Sequence, residues 1–408
     1  MNKYIQLIAA VVMLSACENN IVQIDEPNQG TDVPGYAEEG TIQFEVDQIA
    51  LTRAPGEMTL DGAGSTLKLQ DSGFGVFGFY TGKVKYNLST VTPDFMYNQK
   101  VEWKDDGAGN LAWLYDPVKY WPNAFIDGTQ YEYVSFFTYA PYVNHAALPT
   151  EGIIGMSLKD DKGDPWIAYK LAEKPWGDPL DATVPKQVDL LFGMKKDGTN
   201  YVPYIDQHKN DYGDHDKMTI YFKHALACIG DKITIQMSED LYNIINGYAT
   251  VTLDKVVLEF KNLTTKGRLV LNSADGTANW KEVISGELTT DRKLTLDKDN
   301  TDLITASGYT FTNTTAQTLS EGLGLFYIPM QIAGTEKAKC EVTAYYTVEN
   351  NAGSKYEGTA KDVFDLDLDI EGKKQGIALT LSKDFDLSHL VYSLGSGAGS
   401  GPSYAPRR

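Results

Sequence analysis

Positive charge is scarce in this chain of 408 residues: 36 Lys and Arg stand against 55 Asp and Glu, a formal net charge of −19. That balance excludes a nucleic-acid binder, because little here would release counterions from phosphate. It equally excludes a protein held on an anionic lipid surface by its own charge. Cysteine is rare as well. Cys17, Cys228 and Cys340 fit no zinc or redox spacing. With Cys17 used otherwise, Cys228 and Cys340 are either one pair or two separate buried thiols. Long apolar runs are missing: the stretch Ile5 to Leu14 is too short to span a bilayer. No G-x-S-x-G elbow, H-E-x-x-H or P-loop occurs, so no nucleophile–base arrangement announces an enzyme.

Helical spacing is also sparse, apart from a short helix expected near Glu239–Ile245. Period-two alternation takes its place. It runs through Thr41-Ile42-Gln43-Phe44-Glu45-Val46, through 133–139, 218–222, 232–237, 250–253, 256–260 and 324–328, and through Cys340 to Tyr346. Such runs are strands with one inward face. Turn signals punctuate them at Asp61-Gly62, Asp106-Gly107, Asp127-Gly128, Asp197-Gly198, Asp275-Gly276 and Ser307-Gly308. Many short strands with frequent turns make the expected fold class all-β, built as sandwiches or barrels.

The ends read differently from the middle. Residues 1–17 (MNKYIQLIAAVVMLSAC) combine Lys3, a short apolar stretch and Leu14-Ser15-Ala16-Cys17, the pattern of a bacterial lipoprotein signal with Cys17 as the lipidated residue. Residues 18–40 are polar, acidic and rich in Gly and Pro, and read as a tether. Residues 41–236 hold five of the six Trp and form an expected first β-sandwich; residues 237–394 form the second. Residues 395–408 (GSGAGSGPSYAPRR) read as a flexible tail.

Several apparent sites have plainer readings. Gly73-Phe74-Gly75-Val76-Phe77-Gly78 matches G-x-G-x-x-G but continues as strand, so its glycines are read as permitting close packing or a bulge, and no cofactor is expected. His208, His215 and His224 lie among Asp211, Asp214 and Asp216 without metal-ligand spacing, and His224 reads as a satisfied core residue. Asp365, Asp367 and Asp369 alternate on one strand face, with Phe364, Leu366 and Leu368 inward. Trp103, Trp113 and Trp121 could stack sugars, but read better as core and strand-end residues. The informative position is Arg53 in Leu51-Thr52-Arg53-Ala54-Pro55-Gly56. It is the only arginine before Arg268 and directly follows the first alternating strand, with Gly56, Gly62 and Gly64 beyond it. A trypsin-like protease cutting between Arg53 and Ala54 would release that strand.

These segments resemble the fimbrillin, or Mfa-like, proteins, subunits of the type V pili of Bacteroidales. The carrying stretches are Leu51-Thr52-Arg53-Ala54, Gly73 to Thr81 (GFGVFGFYT), Phe95 to Val101 (FMYNQKV), Trp113 to Asn123 (WLYDPVKYWPN), Val134 to Tyr142 (VSFFTYAPY) and Phe222 to Ala227 (FKHALA). The resemblance implies two tandem transthyretin-like β-sandwiches and a lipidated precursor exported to the outer membrane and cell surface. It also implies an arginine-specific protease that removes the N-terminal strand, here residues 41–53. A strand from a neighbouring subunit then fills the groove, with other pilin subunits as partners. Ile42, Phe44 and Val46 are the inward residues of the departing strand, each contributing roughly 1.5–3 kcal/mol when fully buried. The candidate donor strand is 385–394 (FDLSHLVYSL), with Leu390, Tyr392 and Leu394 inward. Loss of residues 1–53 removes two positive and eight negative charges and moves the net charge from −19 to −13. On this reading the chain is a shaft or tip subunit and not an enzyme. The alternative is a surface lipoprotein that does not polymerise and captures a host protein or glycan.

Overall fold

In the computed structural model the described residues are 40–49, 58–59, 67–87, 90–122, 132–176, 187–212, 217–273, 276–282, 289–297, 304, 307–366 and 374–381. The fold is all-β, with two short α-helices, α1 (Leu69–Ser72) and α2 (Glu239–Ile245), among the described residues. Helix α2 lies where the sequence placed it, capped by the Ser238 hydroxyl, which accepts the Leu241 amide.

The first sheet runs in the order β1 (Phe44–Ile49), β13 (Met218–His224), β10 (Leu191–Asp197), β7 (Tyr133–Ala140), β4 (Phe74–Gly82), β5 (Met96–Asp105) and β6 (Leu111–Leu114). Two short strands join it, β11 (Asn200–Val202) on β10 and β12 (Tyr204–Gln207) on β7. Beside it, β2 (Met58–Thr59) pairs in parallel with β3 (Leu67–Lys68). At its centre, in β4 and β7, both faces of the first sheet are buried. Phe74, Val76 and Phe136 point into one cluster with Phe44, Trp113 and Phe222. Phe77, Phe79, Phe137 and Tyr139 point the other way, into a second and larger cluster.

That larger cluster is shared with a four-stranded sheet ordered β17 (Asn279–Glu282), β16 (Lys266–Val270), β9 (Trp166–Lys170) and β8 (Gly152–Met156). It takes two strands from each half of the chain. Two further sheets add to the same cluster. In one, β14 (Ala227–Met237) is flanked by β20 (Gln317–Glu321) and β21 (Leu325–Tyr327), and pairs in parallel with β24 (Lys374–Leu381). In the other the order is β18 (Thr289–Leu296), β15 (Ala249–Thr264), β22 (Lys339–Asn350) and β23 (Lys355–Asp365), with β19 (Tyr309–Phe311) on β15. Strand β22 shows the alternation the sequence promised: Cys340, Val342, Ala344, Tyr346 and Val348 are inward. Although β14 falls largely before the 236/237 limit drawn from the sequence, its partners β20, β21 and β24 all come from beyond that limit.

The Gly73-x-Gly75-x-x-Gly78 run is strand β4, entered through Gly73 at φ +68. A side chain on Gly75 would meet the Tyr139 ring, and one on Gly78 would sit 3.0 Å from Met96 Cβ, beside a register shift between Val76 and Gly78. Close packing and a bulge therefore account for these glycines. Cys228 and Cys340 are both buried and share no disulfide.

Candidate functional site: the seat of the first strand

Strand β1 closes one edge of the first sheet and is attached on two sides by different means. Upstream, residues 40–42 pair antiparallel with 119–121. The Ile42 amide donates to the Lys119 carbonyl at 2.9 Å, and the Trp121 amide donates to the Gly40 carbonyl at 2.9 Å. The Tyr115 hydroxyl also donates to the Ile42 carbonyl at 2.7 Å. Downstream, the chain crosses to β13 and pairs with it in parallel, Phe44 opposite Met218 and Val46 opposite Ile220. The Met218 amide donates to the Gln43 carbonyl at 2.8 Å. The strand assigned from sequence to residues 41–46 is thus a continuous ribbon that changes partner near Gln43.

Its inward side chains are core residues. Ile42 is 1% exposed, Phe44 2% and Val46 7%. The Phe44 ring lies 6.1 Å from Phe74, 5.6 Å from Tyr115 and 6.0 Å from Phe136, centroid to centroid. The contacts with Phe74 and Phe136 are edge-to-face, a geometry that adds to the burial of area. Tyr115 carries a cost of its own: burial pushes its phenol well above the ordinary value. Hydrogen bonding to the backbone around β1 offsets that burial.

A cleft of about 120 Å³ lies between β1 and β6, the far edge of the same sheet, lined by Phe44, Val46, Gln70, Leu111, Trp113 and Lys217. Trp103 and Trp113 pack against each other at 5.3 Å, and Trp113 and Trp121 are buried. All three therefore serve the core and its rim, as read from the sequence.

One buried polar group was missed. Asp189 and His224 are each 2% exposed at the side chain, with Oδ2 and Nδ1 2.6 Å apart. The same Oδ2 accepts the Met58 amide at 3.0 Å. Met58 is itself buried in the cluster that holds Ile42, Phe44 and Val46. This carboxylate therefore fixes the strand β2 that follows β1 in the chain. The signal was present in Gln187-Val188-Asp189-Leu190-Leu191-Phe192, where one acid stands in an apolar run at the start of β10 and calls for a buried partner. His224 is the satisfied core residue expected. His208 pairs instead with Asp211, at 3.4 Å. Among the described residues no cluster of His, Cys, Asp and Glu could hold a metal ion.

Cys17, Arg53 and Ala54 lie outside the described residues, as do Leu390, Tyr392 and Leu394 of the candidate donor strand. So do His215, Asp367 and Asp369. In sequence, Arg53 falls between the end of β1 at Ile49 and Met58.

Together, fold and seat define an all-β protein whose first sheet is completed by a strand near the N-terminus, joined to the rest through a segment that contains Arg53. Known proteins show likenesses to the chain in sequence and in fold. The chain is 26% identical over 275 residues, 64% of its length, to the fimbrium subunit Fim1C of Phocaeicola vulgatus, and the match spans 61% of that protein. A crystal structure of a fimbrial protein from Bacteroides vulgatus shares the fold, with a TM-score of 0.58 and 20% identity over 84% of this chain and 95% of that one. No family model matches the chain. The chain is thus similar in sequence to one fimbrium subunit and in fold to one fimbrial protein.

Proposed function

We propose that the chain is a structural and adhesive subunit, shaft or tip, of a cell-surface pilus, assembled by removal of β1 and donation of a strand between subunits. The observation that carries this reading is the seat itself. Three core side chains, Ile42, Phe44 and Val46, belong to one edge strand. Only the segment around Arg53 joins that strand to Met58. Cleavage after Arg53 would free it, along with the lipid on Cys17 in the precursor.

Departure of β1 would uncover Phe74, Phe136 and Tyr115, leave the Met218 amide without the Gln43 carbonyl, and leave the β13 edge unpaired. An apolar slot beside an unpaired strand edge is a template for strand addition. The candidate donor, 385–394, follows β24 in the chain. A strand given to the next subunit and a slot filled by the previous one make a head-to-tail contact, which propagates into a filament. The precursor would be exported and lipid-anchored at the outer membrane, and the mature subunit would stand at the cell surface. Its role is structural rather than enzymatic.

The test is to treat the purified chain with an arginine-specific protease. The expected result is a cut after Arg53, release of the first strand and growth of oligomers by sedimentation. Cleaved protein that stays monomeric at high concentration would contradict the polymerising role. Retention of residues 18–53 in the mature form would favour a standing binder of host protein or glycan.

A further inference from the structure

The slot has an inner, apolar face and an outer, polar face, and the outer face carries chemistry of its own. Past Val46 the register of β1 shifts, and Asp47 occupies the irregularity before Gln48 falls opposite Tyr221. The Tyr221 hydroxyl donates to the Asp47 carboxylate and accepts from Lys196. Lys196 Nζ also stands 5.2 Å over the Tyr221 ring. Tyr201 packs 5.6 Å from Tyr221, and Lys223 Nζ lies 5.3 Å over the Tyr201 ring. In a chain of net charge −19, Tyr221 and Lys196 thus stand at the level of Asp47, while the Lys223 ammonium donates to the Gly276 carbonyl.

When β1 leaves, Asp47 leaves with it, while Tyr221 stays on β13 and Lys196 on β10. The inner face accepts any alternating apolar strand of suitable size, so it discriminates little. Charge at the outer face adds selection against wrong partners. Resting on the strand-exchange reading above, we infer that this outer strip selects the incoming strand. Its partner is a strand with a carboxylate directly after the inward apolar pair that replaces Phe44 and Val46. The hydrogen bond it donates to Asp47 raises the Tyr221 phenol above its ordinary value.

The chain's own candidate donor lacks that acid. With Leu390, Tyr392 and Leu394 in the places of Ile42, Phe44 and Val46, the Asp47 level is filled by Gly395. Laid in the opposite direction, the same segment offers His389 there. The strip therefore favours a different subunit, bearing the acid, over a second copy of this chain.

The experiment uses the full chain after cleavage at Arg53 and fluorescent peptides in an anisotropy titration. The first peptide reproduces residues 41–53. Its Asp47→Asn form should bind about twofold to fivefold more weakly, the range of an exposed charge pair, and its Asp47→Lys form, which adds repulsion from Lys196, more weakly still. A Lys196→Glu chain should reverse the order, preferring the Asp47→Lys peptide. A peptide of residues 385–395 should bind more tightly once Gly395→Asp is introduced. Equal binding of all these forms, with the unaltered 41–53 peptide bound well, would overturn the selectivity and leave the slot intact. Failure of the unaltered peptide to bind at all would overturn the slot reading, and the selectivity with it.

Discussion

Replacing Phe44 by Ala should loosen one strand rather than the whole molecule. The ring is 2% exposed and touches Phe74, Tyr115 and Phe136. Its truncation removes about 3–5 kcal/mol. Strand β1 lies at a sheet edge, with β13 on one side and a cleft on the other, so it can open without unfolding its neighbours. A loss of 3 kcal/mol in the seat corresponds to roughly a hundredfold rise in local opening. Hydrogen exchange reads it directly. The Met218 amide, bonded to Gln43, and the Trp121 amide, bonded to Gly40, should exchange about a hundredfold faster in the Phe44→Ala chain. Amides between β4 and β7 should hold near their original rates. Glu45→Ala, on the exposed face of the same strand, should change neither set by more than about 0.5 kcal/mol. Uniform acceleration across β1, β4 and β7 would refute the reasoning, because β1 would then open only with the whole sheet.

Asp189→Ala strips His224 and the Met58 amide of their shared acceptor and should lower stability by about 3–5 kcal/mol in urea denaturation, the cost of breaking a buried pair. Gly193→Ala should cost more than about 2 kcal/mol by the same measurement. Its methyl group would strike the Thr138 hydroxyl of β7 and sit 2.6 Å from Ile220 of β13. Burial pushes the Cys340 thiol up to about 12, so at pH 8 it stays protonated, and an alkylating reagent followed by mass should modify it only after denaturation.

Local patterns carried the fold further than they carried its assembly. Alternation marked β7, β13, β14 and β22, and Asp106-Gly107 and Asp197-Gly198 marked the turns after β5 and β10, because strands and turns are fixed by neighbouring residues. Inward burial of Ile42, Phe44 and Val46 followed from the same period of two. Pairing partners did not follow from it. Nothing near Phe44 states that β13 is its neighbour or that the two run in parallel, and nothing near Lys266 states that β16 joins β9. Those choices are set by the shape of the whole core. Asp189 was passed over for a related reason. A buried carboxylate is intelligible only with its partner, and His224 is 35 residues away.

The account rests on β1 being a strand that is taken out. Intact-mass mapping of the N-terminus of protein recovered from the native cell surface tests that most directly. A chain beginning at Ala54 is the predicted result. A chain beginning at a lipid-modified Cys17, with β1 still in its seat, would contradict it.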